Sequence, residues 1–120
     1  MEAITPVILA LIGAYLAVLD YDVDALVFAG GVGENSSYVR AEVLSGFGGI
    51  GIRLDKEANE RRSREERDIA APDSRARILI GPTNEEQVLL EDVVAILNGT
   101  YDVHTQFSYS FEDPAWKQRA

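Results

Sequence analysis

Apolar and polar residues fall in blocks along this chain. Ala3 to Leu19, AITPVILALIGAYLAVL, is uncharged and mostly apolar. It predicts a helix from about Val7 to Leu19, with Pro6 in the first turn, where its missing N–H costs nothing. A bilayer span needs about 20 residues, and no basic stretch precedes this one, so the segment reads as a buried helix. The acidic linker Asp20-Tyr21-Asp22-Val23-Asp24 leads into Ala25 to Ala29, ALVFA, a short continuous apolar run of the kind that forms a buried parallel strand. Three glycines within four positions break the run, and Asn35 to Ser37 offer caps for a helix through about Leu44. Ser45 to Gly49 reads as a turn and Ile50 to Leu54 as a short strand.

From Arg53 to Asp68 the pattern becomes charged throughout, with six basic and six acidic residues. Such balanced mixing predicts a solvated helical face laced by (i, i+4) pairs, and argues against Arg61, Arg62 and Arg64 forming a phosphate patch. Pro72-Asp73-Ser74 is a turn, and Ala76 to Ile80 is a second apolar run expected as a buried strand. After Gly81-Pro82-Thr83-Asn84-Glu85-Glu86 a helix follows with Val88, Leu89, Val93, Ile96 and Leu97 on one face. Asn98-Gly99 stops it. Beyond Thr100 the aromatics are scattered without a period, so residues 101–120 read as an appended tail docked through Phe107, Phe111 and Trp116, and residues 1–100 as the main body. Alternating strands and helices define an α/β unit with a parallel-containing sheet and flanking helices.

Composition narrows the chemistry. At 120 residues the chain is one domain or a piece of a larger one. A net charge of −9 argues against a nucleic-acid surface, which needs clustered Lys and Arg. With no cysteine, disulfides, thiolate metal sites and Cys nucleophiles are excluded.

Two places can bind a ligand. In Val27-Phe28-Ala29-Gly30-Gly31-Val32-Gly33-Glu34-Asn35-Ser36-Ser37, the glycines follow a strand and precede a helix, where ligands of open α/β sheets settle. Glycine lets backbone N–H groups approach a ligand, and a helix start favours anionic or polar ligand atoms. A ligand-free strand–turn–helix is equally compatible with these residues. No Gly-Lys-Ser/Thr follows, so this is not a Walker A loop, and Gly31-Val32-Gly33-Glu34-Asn35-Ser36 misses the last glycine of the dinucleotide fingerprint. Glu34 and Asn35 suit a sugar or base edge better than a pyrophosphate. The second place is Thr83-Asn84-Glu85-Glu86, where Thr83 and Glu86 match a capping box. That leaves Glu85 free at a strand end, where a carboxylate can hold Mg²⁺ through waters and substrate phosphates, or can simply favour the positive helix end. His104 has no Ser/His/Asp constellation around it, and Asp20, Asp22 and Asp24 read as solvated.

Taken in order, DALVFAGGVGENSSYVRAEVL, GIRLDKEAN and APDSRARILIGPTNEEQVLLED closely resemble the C-terminal part of the acetokinase family, over about Ile12 to Leu97. The resemblance implies a partial ribonuclease H-like, actin-like ATPase domain. It implies that Gly31, Val32, Gly33, Glu34 and Asn35 border the adenosine of ATP and that Glu85 binds Mg²⁺. The implied reaction is reversible phosphoryl transfer from ATP to acetate, giving acetyl phosphate and ADP, in the cytoplasm. Association would be as a homodimer or with the missing lobe, without nucleic acid or membrane. Family members acting on acetate, propionate and butyrate share this half. The acetate-side residues are absent, so the isolated chain is expected to be inactive. The alternative is a non-catalytic nucleotide-binding or dimerisation module derived from an acetokinase.

Overall fold

The computed structural model describes residues 3–103 and 106–116. Two compact units divide the chain, Met1–Thr83 and Asn84–Ala120.

In the first unit, helix α1 (Ile4–Val18) precedes strand β1 (Ala25–Phe28). Two short helices follow, α2 (Gly30–Asn35) and α3 (Ser37–Leu44), then a 3-10 turn at Ser45–Ile50 and helix α4 (Lys56–Glu60). Strands β2 (Arg67–Asp68) and β3 (Arg77–Ile80) complete it. The sheet has the order β1-β3-β2, with β1 parallel to β3 in the register Ala25↔Arg77 to Phe28↔Ile80, and β2 antiparallel to β3. A parallel pair supports the α/β assignment made from the sequence.

Alternation builds β3: Ile78 and Ile80 are buried, while the exposed Arg77 pairs with Asp68 of β2 at 2.7 Å. These isoleucines join Leu16 of α1, Leu44 of α3, Phe47, Ile52, Ile69 and Ala76 in one core. Helix α3 starts where the sequence places it, since the Ser36 hydroxyl accepts from the Val39 amide at 3.2 Å. Its buried stripe is Val39, Arg40, Val43 and Leu44.

Several elements differ from their sequence reading. The glycine segment is a short helix instead of an open loop, because Gly30 takes φ +76°, a left-handed conformation that turns the chain directly from β1 into α2. Residues 45–50 wind into a 3-10 turn, and the strand expected over Ile50 to Leu54 reduces to one bridge, Leu54↔Ala70. The charged run is helical only over α4, and its ion pairs are Arg53–Asp73 and Arg77–Asp68, not (i, i+4) partners. Helix α1 buries Thr5 and Leu16, whereas Val7, Leu11, Tyr15 and Val18 stay exposed, Val18 at 79%. The run ALVFA is likewise half covered: β1 is an edge strand, and Val27 is 62% exposed. No helix among the described residues is long and apolar enough to cross a membrane.

The second unit holds helix α5 (Glu85–Leu97) and the segment beyond it. Its buried residue is Ala95, while Leu89, Val93, Ile96 and Leu97, the face expected to pack inward, are exposed. Against α5 lies a ladder of rings, Tyr101–Phe107–Tyr109–Phe111–Trp116, with successive centroids 4.8 to 6.5 Å apart. Tyr109 donates to Asp92 at 2.7 Å, and the Ser110 amide donates to Glu91 at 2.9 Å. Burial and the Asp92 carboxylate push the Tyr109 phenol up to about 12.

Candidate functional site

The glycine segment sits at the carboxyl end of β1, where open α/β sheets present ligands. Gly33 packs on the strand it leaves, since a Cβ there would lie 3.5 Å from the Phe28 backbone. Gly30 and Gly31 face open space. Beside them runs an apolar groove of about 420 Å³, bounded by Gly30 to Gly33, Ile8 and Ile12 of α1, and Val39 and Val43 of α3. Apolar walls next to backbone without Cβ atoms suit a planar base better than a charged group.

The two polar side chains of the segment hold the segment itself. Glu34 Oε1 accepts from the Gly30 amide at 2.8 Å, and from the Thr83 amide and hydroxyl at 2.9 Å each. The Thr83 amide does most to hold the Glu34 carboxyl below the usual range, against the opposing effect of burial, with the Thr83 hydroxyl and Gly30 amide adding to it. Asn35 Nδ2 donates to the Gly31 carbonyl at 2.8 Å. The carbonyls of Gly31, Val32 and Gly33 are taken by Asn35, Ser36 and Arg40, so this segment can present only backbone N–H groups to a ligand, while Glu34 and Asn35 brace the turn.

Arg40 completes the brace. Only 2% exposed, its guanidinium donates to the carbonyls of Gly33 and Glu34 at 2.8 and 2.9 Å and to Asn59 Oδ1 and O at 2.7 and 2.9 Å. These carbonyls end α2 and α4, so one cation closes two helix C-termini, the favourable place for positive charge. Asn59 in turn donates to the Ser37 carbonyl at 2.9 Å. Burial depresses the Arg40 pKa, and nearby Arg67 lowers it further. The sequence reading passed over Arg40, Asn59 and the role of Thr83. An arginine inside the stripe Val39, Val43, Leu44 was the available signal, since a charge is buried only with full hydrogen bonding.

The second candidate corrects a sequence reading. Thr83 does not cap α5: Asn84 does, its Oδ1 accepting from the Gln87 amide at 3.1 Å. Thr83 is instead held by Glu34, so the capping box with Glu86 does not form. Glu85 and Glu86 are both exposed in the first turn of α5, and capping no longer separates them. Among the described residues no group of three metal-ligating side chains is assembled. Mg²⁺ takes one or two carboxylates beside waters and phosphates, so either glutamate would need a nucleotide's phosphates to complete a site, and their placement does not choose between them. His104 lies outside the described residues.

The fold is that of a fragment of a larger α/β domain. Its structural matches include acetate kinases, which have the actin-like ATPase fold. The crystal structure of the Porphyromonas gingivalis enzyme aligns at TM-score 0.60 and 38% identity over 75% of this chain and 22% of that one. A propionate kinase from Francisella tularensis aligns at TM-score 0.55 and 29% identity over 65% and 19%. The sequence profile of the Acetokinase family matches residues 3–91. Acetate kinase of Treponema pallidum is 50% identical over 110 residues, 90% of this chain and 25% of its own, and that of Geobacter sulfurreducens is 48% identical over 83% and 24%. The chain belongs to the acetokinase family. It spans about a quarter of the length of the curated relatives it matches.

Proposed function

We propose that this chain is the C-terminal, ATP-side part of an acetate kinase. In that reading Gly31, Val32, Gly33, Glu34 and Asn35 border adenosine, and Glu85 takes part in holding Mg²⁺ on the nucleotide phosphates. The observation that carries it is the apolar groove walled by Gly30 to Gly33 at the end of β1, in a chain whose family moves phosphoryl groups. Residues 1–100 are the acetokinase part in this reading and 101–120 an appended tail, the whole working in the cytoplasm without nucleic acid or membrane. In-line phosphoryl transfer needs charge stabilisation and positioning from both sides of the reacting group. The acetate side lies in the portion of the relatives that this chain does not span. Alone, the chain binds Mg·ATP and forms no acetyl phosphate.

Isothermal titration with Mg·ATP tests binding, and the absence of heat from a folded sample would refute it. Glu85→Gln should weaken the Mg²⁺-dependent part of binding about tenfold while Glu86→Gln leaves it within about twofold, the range expected of one charged contact. Equal losses would remove the special role of Glu85. An acetyl-phosphate assay with Mg·ATP and acetate should read background, and turnover would overturn the assignment of the missing side. A second reading, a non-catalytic dimerisation module, draws on the exposed apolar residues of α1 and α5.

A further inference from the structure

We propose that the groove between the end of α2 and the 61–67 loop is a binding site for a phosphate group, separate from the glycine-walled groove. Five arginines line it, Arg40, Arg61, Arg62, Arg64 and Arg67, in a chain whose net charge is −9. Two carboxylates, Glu34 and Glu60, line it as well. Of these, Glu34 is largely spent on the donors of Gly30 and Thr83. The run that is charge-balanced in sequence is therefore sorted by its fold, with the arginines gathered at one place.

Three observations point to an anion. Arg67 Nε is buried and donates to nothing, although Nη1 and Nη2 of the same guanidinium reach the carbonyls of Ser63 and Arg61 at 3.0 and 3.1 Å. A buried donor without an acceptor is destabilising. Because Nε is closed to a water-sized group in this conformation, an anion meets it only when the side chain shifts, a shift that the unmet donor favours. Second, among the described residues neither Arg40 nor Arg67 makes an ion pair, and the two repel each other. Third, Arg61, Arg62 and Arg64 are exposed on one short loop and make no ion pair among the described residues. Arg40 spends its donors on Gly33, Glu34 and Asn59, but the forked donors of Arg61, Arg62 and Arg64 exceed what the two oxygens of a carboxylate can accept, and match a tetrahedral oxyanion. The groove, about 610 Å³, also has room for a pair of linked phosphates. Arg40 bridges it to the carbonyls that end α2, so an anion here acts on the same guanidinium that fixes the glycine segment.

The test uses the ¹⁵N-labelled 120-residue chain and follows its arginine Nε–Hε signals by NMR. Inorganic phosphate and pyrophosphate are titrated against sodium chloride at matched ionic strength. A saturable shift at Arg67, stronger with pyrophosphate and absent with chloride, is the expected result. Arg62→Ala/Arg64→Ala should weaken it at least about tenfold, as loss of charge-assisted bonds requires. The Arg62→Lys/Arg64→Lys pair, which keeps the charge, should weaken it less. No saturable shift, the same shift with chloride, or indifference to both paired variants would overturn the site. ATP without Mg²⁺ separates the sources: movement of Arg67 together with the Gly31 to Asn35 amides means nucleotide phosphate, and pyrophosphate undisplaced by ATP means a free anion. Adenosine should move the Gly31 to Asn35 amides alone, so its failure counts against the nucleotide reading and leaves the phosphate site standing.

Discussion

At the scale of single residues, the glycine segment is held by two charges that have opposite roles. Arg40 satisfies three carbonyls at the ends of α2 and α4, binds the Asn59 side chain with a fourth hydrogen bond, and sits in the interior to do so. Arg40→Met keeps much of the volume but strands those carbonyls, and should lower stability by about 3 kcal/mol in urea unfolding. Arg40→Lys restores the charge without the planar fork and should recover less than about half of the loss. A loss under about 1 kcal/mol for Arg40→Met would show that water replaces the guanidinium without penalty. Glu34 contributes a pH dependence. Its folded pKa lies below the ordinary 4.5, so its contribution is present above that value and disappears as pH falls through the folded one. Asp68 and Glu91 shift the same way. For Asp68, burial is the largest influence and opposes the shift, but the amides of Ala70 and Ile78 with Arg77 outweigh it. For Glu91, Gln87 and then Ser110 are the causes. Stability measured from pH 6 down to pH 3 should therefore fall, and Glu34→Gln should flatten that fall without abolishing it. An acid limb unchanged in Glu34→Gln would mean that the Thr83 and Gly30 bonds do not persist in solution.

Elements were legible from the sequence where the signal was local. The start of α3 is legible to within the caps Asn35 to Ser37, of which Ser36 is the one used, because caps and apolar stripe lie close together in the chain, and the same holds for the stop of α5 at Asn98-Gly99. The start of α5 was misread because Thr83 and Asn84 are both good caps. Their roles are decided by Glu34, 49 positions earlier in the chain, which takes the Thr83 hydroxyl out of competition. The helix at Gly30 was hidden for a related reason: glycine disfavours helix interiors, and only the Glu34, Asn35 and Arg40 contacts make α2 hold. The glycine site was thus visible as a place, and its brace was not. The two caps can be told apart by experiment. Asn84→Ala should cost about 1 kcal/mol of stability through the lost cap and leave the acid limb unchanged. Thr83→Ala should instead alter the acid limb, because it removes a donor to Glu34. If both variants gave the same pH profile, the division of labour between Thr83 and Asn84 would be wrong.

Across the whole molecule the sequence reading failed in one consistent direction: apolar residues expected inside are outside. Val27 on β1, Val7, Leu11, Tyr15 and Val18 on α1, and Leu89, Val93, Ile96 and Leu97 on α5 are all exposed, Leu97 at 80%. Hydrophobic periodicity reports that a face is meant to be covered, but not which chain covers it. Here the relatives are about four times longer than the segment they share with this chain, so faces that read as core have no counterpart surface among the described residues. Among the described residues no strand pairs with the outer edge of β1, which carries an exposed valine, the combination that recruits another strand. The chain by itself should therefore associate: sedimentation should show an average mass that rises with concentration above that of the 13.2 kDa monomer. Val27→Lys places a charge on that edge, the device that keeps edge strands from pairing, and should shift the sedimentation toward monomer. Leu97→Lys changes an apolar face of α5, in the other unit, and separates apolar-face association from edge pairing. If Val27→Lys reduces the mass and Leu97→Lys does not, the strand edge drives assembly. The reverse assigns it to the helix face, and a monomer at all concentrations would show that the exposed residues of this chain are tolerated as they stand.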